Sequence, residues 1–275
     1  MCRGFVFCPF GLLLITVMGC QLNRSFTSMS PSQILGSQQS RYGIAALERG
    51  NLNEAEKRLE DAVKLNKNDI NHRRHYAEVL WQQGKHQESL QQLNEAVKRG
   101  GQNSVSLHIS LAEKHLAIQQ YTTAYRHADE AVQLDSQDAR SWTLRGRAMR
   151  LQAIHQMGNT EYALEMLRQA RGDYLRAVSL SPNDCDLLSE LATVQMDCGQ
   201  HEQALATWQT VQNCYSHGGE PTAVLIGKTE TLMALRRFDE AAMNLVAIRE
   251  RGLGHSEAGQ RLHEMMMAAQ ENPKR

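Results

Sequence analysis

The chain has 275 residues, with 30 Lys and Arg against 30 Asp and Glu, so its formal net charge is zero. No global field therefore draws it to nucleic acid or to an anionic membrane, and any electrostatic recognition has to come from local clusters. Aromatic residues make up 5% of the chain, too few for a surface on which bases stack.

In chain order, the first element is the apolar run Phe5 to Met18, preceded by Arg3. At about 14 residues it falls short of the roughly 20 that span a bilayer, and it has the shape of a secretory signal. It ends Val17-Met18-Gly19-Cys20, which resembles the lipobox of bacterial lipoproteins. That resemblance implies cleavage before Cys20, a diacylglycerol on its thiol, and palmitate or another acyl chain on the new N-terminus. Gln21 follows the cysteine, which in proteobacterial lipoproteins implies the outer membrane. A plain secretion signal and an uncleaved apolar start are the alternatives.

Ser30-Pro31-Ser32-Gln33 then reads as a helix start, with Ser30 as N-cap, Pro31 at the first position and Gln33 reaching back. From here the chain repeats. Gly43, Ala55, Leu59 and Ala62 recur as Ala77, Ser89, Leu93 and Ala96 in the next frame. They recur again as Ala112, Ala124, Ala128 and Ala131, with Tyr121 opening the second half. The fourth frame carries Trp142, Gly146 and Met149, then Ala170, Tyr174, Ala177 and Pro182, with 12 extra residues between its halves. Those extra residues read as a lengthening of both helices, with the turn at Gly158-Asn159 and Thr160 as N-cap; a loop insertion is the alternative. Ala192, Gly199, Ala204, Trp208 and Val211 make a fifth frame, and Thr229, Phe238, Ala241, Leu245 and Ile248 a sixth.

This spacing of small and bulky residues resembles the tetratricopeptide repeat (TPR), a helix-turn-helix unit of about 34 residues. The resemblance implies an all-α, right-handed superhelical solenoid. The expected organisation is a signal peptide at 1–19, a linker with the start of the first helix at 20–35, and six repeats over 36–255. The repeats are 36–69, 70–103, 105–138, 139–184, 185–218 and 222–255. A capping helix at 256–270 covers the last apolar face, and 271–275 is a tail.

Chemistry finds no foothold. His-Glu-x-x-His and Cys-x-x-Cys are absent, and the glycines sit at turns and close-packing positions, so neither a metal nor another cofactor is expected, nor any catalytic residue. His72 and His75 share a helix face, as do His108 and His115, without a carboxylate at metal-helix spacing. Cys185 and Cys214 fall at the same end of one hairpin, which leaves a disulfide open, but buried, inert thiols are the expected state.

In the family, partners lie in a concave groove lined by the first helix of each repeat. Carried over, the candidate groove residues are Arg74, Glu78 and Trp81 from repeat two, Glu113 from repeat three, and Arg140, Arg147 and Arg150 from repeat four. Repeat five adds Asp186, Ser189, Thr193, Met196 and Asp197. The three arginines share one helix face and suggest a protein or peptide partner with an acidic segment. A surface paired with neighbouring acids such as Glu113 and Asp186 is the alternative. The lysine and asparagine of a carboxylate clamp are replaced by Ser40 and Ile44. The expected function is a lipid-anchored interaction scaffold of the bacterial cell envelope. Pilotin-type lipoproteins of type IV pili have a similar layout, which makes an assembly factor of a pilus or secretion machine the second reading. A non-catalytic subunit of a cell-wall enzyme or glycan-binding complex is the third.

Overall fold

A computed structural model describes residues 30–157, 161–215, 221–252 and 256–271. The signal segment, Cys20, the Gly158-Asn159 turn, Thr160 and the tail after 271 lie outside the described residues. Among the described residues there are thirteen α-helices and no strand. Six antiparallel hairpins stack side by side into the expected all-α solenoid: α1 (Pro31–Glu48) with α2 (Leu52–Leu65), α3 (Ile70–Gln82) with α4 (His86–Lys98), and α5 (Val105–Ala117) with α6 (Tyr121–Leu134). Then come α7 (Ala139–Gln152) with α8 (Glu161–Leu180), α9 (Cys185–Asp197) with α10 (His201–Cys214), and α11 (Thr222–Ala234) with α12 (Phe238–Glu250); α13 (Glu257–Glu271) follows.

Sequence chemistry sets where each helix begins. Ser30 and Gln33 form the capping box on α1, the Gln33 amide donating to Ser30 Oγ and the Ser30 amide to Gln33 Oε1. Between hairpins, Asp69, Asp138 and Asp184 accept from the first free amides of α3, α7 and α9, occupying donors that the helix itself leaves open. Within hairpins the turn needs a residue with positive φ. Glycine takes that place at Gly50, Gly84 and Gly199, while Gln119 and Arg236 bear it at φ 61° and 59°.

Packing follows the small residues. Ala55, Ala77, Ala112, Ala124, Ala170, Ala192 and Ala204 are fully buried where paired helices touch. Gly43 marks the closest approach in the first hairpin: a Cβ there would lie 2.5 Å from Leu59 Cγ. Ser89 replaces alanine in the second hairpin and stays dry because its hydroxyl donates to the Ala77 carbonyl at 2.6 Å. Bulky Leu59, Leu93, Tyr174 and Trp208 fill the spaces between repeats.

Both helices of repeat four are lengthened, as the sequence leads one to expect, whereas one cysteine pair departs from expectation. Beyond α7 the extra residues run on as a π-type turn, Ala153–Met157, and α8 reaches 20 residues, so repeat four stands above its neighbours. Cys185 and Cys214 are joined in a disulfide, with their Cα atoms 6.3 Å apart, so the expectation of buried, inert thiols is corrected for this pair. Cys185 opens α9 and Cys214 closes α10, and neither is in the core, which is why the two sulfurs meet at the hairpin's open end. Cys198 is the free thiol among the described residues. Closing a loop of 29 residues should stabilise the fold by about 3–4 kcal/mol through chain entropy. Thermal melts with and without dithiothreitol should therefore differ by several degrees, and the shift should vanish in Cys185→Ser/Cys214→Ser. Equal melts for oxidised and reduced wild type would show that the bond contributes nothing.

Candidate binding groove

The first helices α7, α9 and α11 line a groove made of two adjoining cavities. One, of about 550 Å³, lies between α7 and α9 and includes Arg140, Thr143, Arg147 and Leu187. The other, of about 810 Å³, lies between α9 and α11 and includes Ser189, Thr193, Met196, Trp208 and Ile226. Asp186 and Glu190 belong to both, so the two are continuous.

The candidate arginines of α7 are in this groove, and each meets a carboxylate of the chain itself. Arg140 Nε donates to Glu113 on α5 at 3.0 Å. Arg147 Nε donates to Glu190 at 3.0 Å, and Arg150 pairs with Asp197, both on α9. Glu190 also accepts from the Tyr174 hydroxyl at 2.9 Å. Burial works against the charged Arg147, but the bonds to Glu190 outweigh it and raise its pKa above the ordinary guanidinium value. Burial and the adjacent Glu190 carboxylate push the Tyr174 phenol upward, keeping it a donor. The charge excess that suggested an acidic partner is therefore cancelled within the protein. Of the two acids proposed as neighbours, Glu113 fills that role; Asp186 does not, and Glu190 and Asp197 stand in its place. Asp186 has no hydrogen-bond or ion-pair partner among the described residues.

Of the remaining candidates, at repeat two, Glu78 and Trp81 are tied down. Lys114 Nζ donates to Glu78 at 2.6 Å and sits 5.0 Å from the centre of the Trp81 ring. Burial raises the Glu78 carboxyl, but the Lys114 bond prevails and its pKa lies below the usual range. Trp81 stacks on His86 with centroids 4.2 Å apart. Arg74 Nη2 lies 3.5 Å from the ring of its chain neighbour His75, Arg74 Nε is buried without a hydrogen-bond partner, and both residues line a cavity of about 70 Å³. These side chains close their part of the concave face, so the open groove lies at repeats four to six.

Ile154, Glu190, Tyr215, Ile226, Glu230 and Arg261 also line the groove, at positions outside the candidate set. Ile154 comes from the extension of α7, one turn beyond Arg150, and no repeat-numbering rule covers an extension. Glu230 and Arg261 face each other from α11 and α13 as an ion pair at the groove's far end. His108 and His115 share a face of α5 as expected, and a third histidine joins them. His108 and His115 of α5 face His127 of α6, with His108 Nδ1 3.3 Å from His127 Nδ1. Burial, with His108 and His115 alongside, pushes His127 down to about 4. Among the described residues no group of three or more His, Cys, Asp or Glu is placed to hold a metal ion.

A family profile for the tetratricopeptide repeat matches residues 42–104. Comparison with curated proteins returned no match. Among solved structures the chain resembles PilF of Pseudomonas aeruginosa at 15% identity, over 86% of this chain and 99% of that one, with a TM-score of 0.67. It resembles PilW, described as a widely conserved type IV pilus biogenesis factor, at 14% identity, over 82% and 97%, with a TM-score of 0.70. YrrB, described as a TPR protein with an unusual peptide-binding site, aligns at 14% identity over 78% and 97%, with a TM-score of 0.55. At these identities the likeness establishes the fold: the chain is a solenoid of TPR-type hairpins.

Proposed function

We propose that this protein is an interaction scaffold that holds a segment of another protein in the groove of α7, α9 and α11, and that an acylated Cys20 tethers it to the bacterial cell envelope. The carrying observation is the groove itself: two continuous cavities on one face, lined by polar and apolar side chains. A photo-crosslinking residue at Thr193, inside the groove, should capture a partner. The same residue at Met243, 64% exposed on α12 and outside the groove, should not. Identical adducts from both positions, or none from Thr193, would defeat the groove reading.

The tether rests on the Val17-Met18-Gly19-Cys20 ending. Acyl chains contribute about 0.8 kcal/mol per buried CH2, and two or more make stable anchors. Wild type should partition into detergent and carry acyl mass on Cys20, and Cys20→Ala should lose both. An intact, unmodified wild-type N-terminus would sink the tether.

A second reading, an assembly factor of a pilus or secretion machine, is favoured by the alignment over nearly the full lengths of PilF and PilW. It predicts that the partner captured from Thr193 belongs to such a machine.

A further inference from the structure

The groove's charge and shape name the kind of segment that fits it. Six carboxylates line the two cavities against four arginines. Each arginine is already spoken for, by Glu113, Glu190, Asp197 or Glu230. Asp138 and Asp184 are used as helix caps. That leaves Asp186, exposed and unpartnered, at the junction of the two cavities. An incoming anion would meet a net negative lining without a free cation to receive it. An incoming ammonium or guanidinium would meet a carboxylate that gives up no internal bond to bind it.

The second observation is apolar. Ile154 is 42% exposed at the edge of the larger cavity, carried there by the extension peculiar to repeat four. Met196, Ile226 and Tyr215 are partly buried around the same space. The neighbouring Ala153 is buried against Ala163 and Leu167, which fixes the backbone that presents Ile154. Three packed first helices at about 8–10 Å spacing make a track of about 20 Å. An extended chain at about 3.3 Å per residue covers that with about six residues.

We infer that the groove takes an extended peptide segment in which a Lys or Arg, set against Asp186, lies close to an apolar side chain set against Ile154 and Met196. This rests on the groove reading above and gives its partner a charge opposite to the one the arginines alone suggest.

The test uses the full chain and three fluorescent ten-residue peptides on a Gly/Ser background. The first carries two Lys and two Leu, the second Glu in place of Lys, and the third Ser in place of Leu. The Lys/Leu peptide should bind at least tenfold more tightly than either of the others. Asp186→Asn and Ile154→Ser should each weaken it at least fivefold, while Met243→Ser should leave it unchanged. Neither groove variant removes an internal partner, so both should fold as wild type. The segment crosslinked from Thr193 should, by mass spectrometry, contain Lys or Arg beside an apolar residue. Equal or tighter binding of the Glu peptide, no binding of the Lys/Leu peptide, or indifference to both groove variants overturns the inference. If Thr193 still captures a segment, but an acidic one, the groove reading survives and this inference falls; if Thr193 captures nothing, both fall.

Discussion

Replacing Arg145 with Met should cost about 3–5 kcal/mol at neutral pH, and the loss should shrink on acidification. Arg145 of α7 clamps Asp173 of α8 through Nε at 2.9 Å and Nη2 at 2.7 Å, and Asp129 of α6 through Nη1 at 2.7 Å. Its guanidinium also lies 4.5 Å from the centre of the Trp142 ring. One side chain thus ties three helices together, and Asp173 is 7% exposed. Burial holds the Asp173 carboxyl above its ordinary pKa, with the Arg145 bonds working against that rise. Without the guanidinium, only burial and the nearby Asp129 remain, and both push the pKa further up. A group whose folded pKa exceeds its unfolded value stabilises the fold most when protonated, below about pH 4 for Asp. That contribution is lost as pH rises through the raised folded pKa. The urea midpoint of Arg145→Met should therefore move closer to wild type between pH 7 and pH 4.5. A variant that loses further ground on acidification, or costs under 1 kcal/mol at pH 7, would show that the clamp is not what joins these helices.

Trp208→Ala should be about as costly, roughly 3–5 kcal/mol, because it empties a large buried site between repeats five and six. Trp208 is 4% exposed and packs with Ala192, Val211 and Val224. Gly227 on α11 is shaped to it: an added Cβ would lie 2.4 Å from Trp208 Cζ2. Gly227→Ala alone should cost about 1–2 kcal/mol, overpacking prevailing over the roughly 1 kcal/mol that alanine adds in a helix. With Trp208 already removed the same methyl should have room, and only its helix preference should count. Gly227→Ala/Trp208→Ala should therefore be at least as stable as Trp208→Ala, where simple addition would make it less stable by the cost of Gly227→Ala. Denaturation of the four proteins in one cycle measures it, and additive losses would mean the glycine is not there for the ring. In a solenoid each repeat leans on its neighbours, so the damage should concentrate in α10 to α13 when followed by hydrogen exchange.

The solenoid is legible in the residues alone, because what makes each hairpin is local. Small residues at fixed intervals, Gly43 with Ala55 and Ala192 with Ala204, let two helices of one repeat approach. Ser30 and Pro31 are read as a helix start without reference to anything distant. The spacing between Gly146 and Ala170 also marks repeat four as the irregular one. What the charged face does depends instead on how the hairpins stack. Arg147 meets Glu190 43 residues away and Arg150 meets Asp197 47 residues away, separations that belong to the stacking of one hairpin on the next. A basic helix and an acidic helix read separately look like two binding surfaces. Laid side by side, they neutralise each other, because an ion pair forms within about 4 Å and periodicity along one helix says nothing about distance to another. The same reason explains the Cys185–Cys214 bond. Spacing put both cysteines at one end of a hairpin, but whether their sulfurs meet depends on where two side chains point, which only the packed pair of helices fixes.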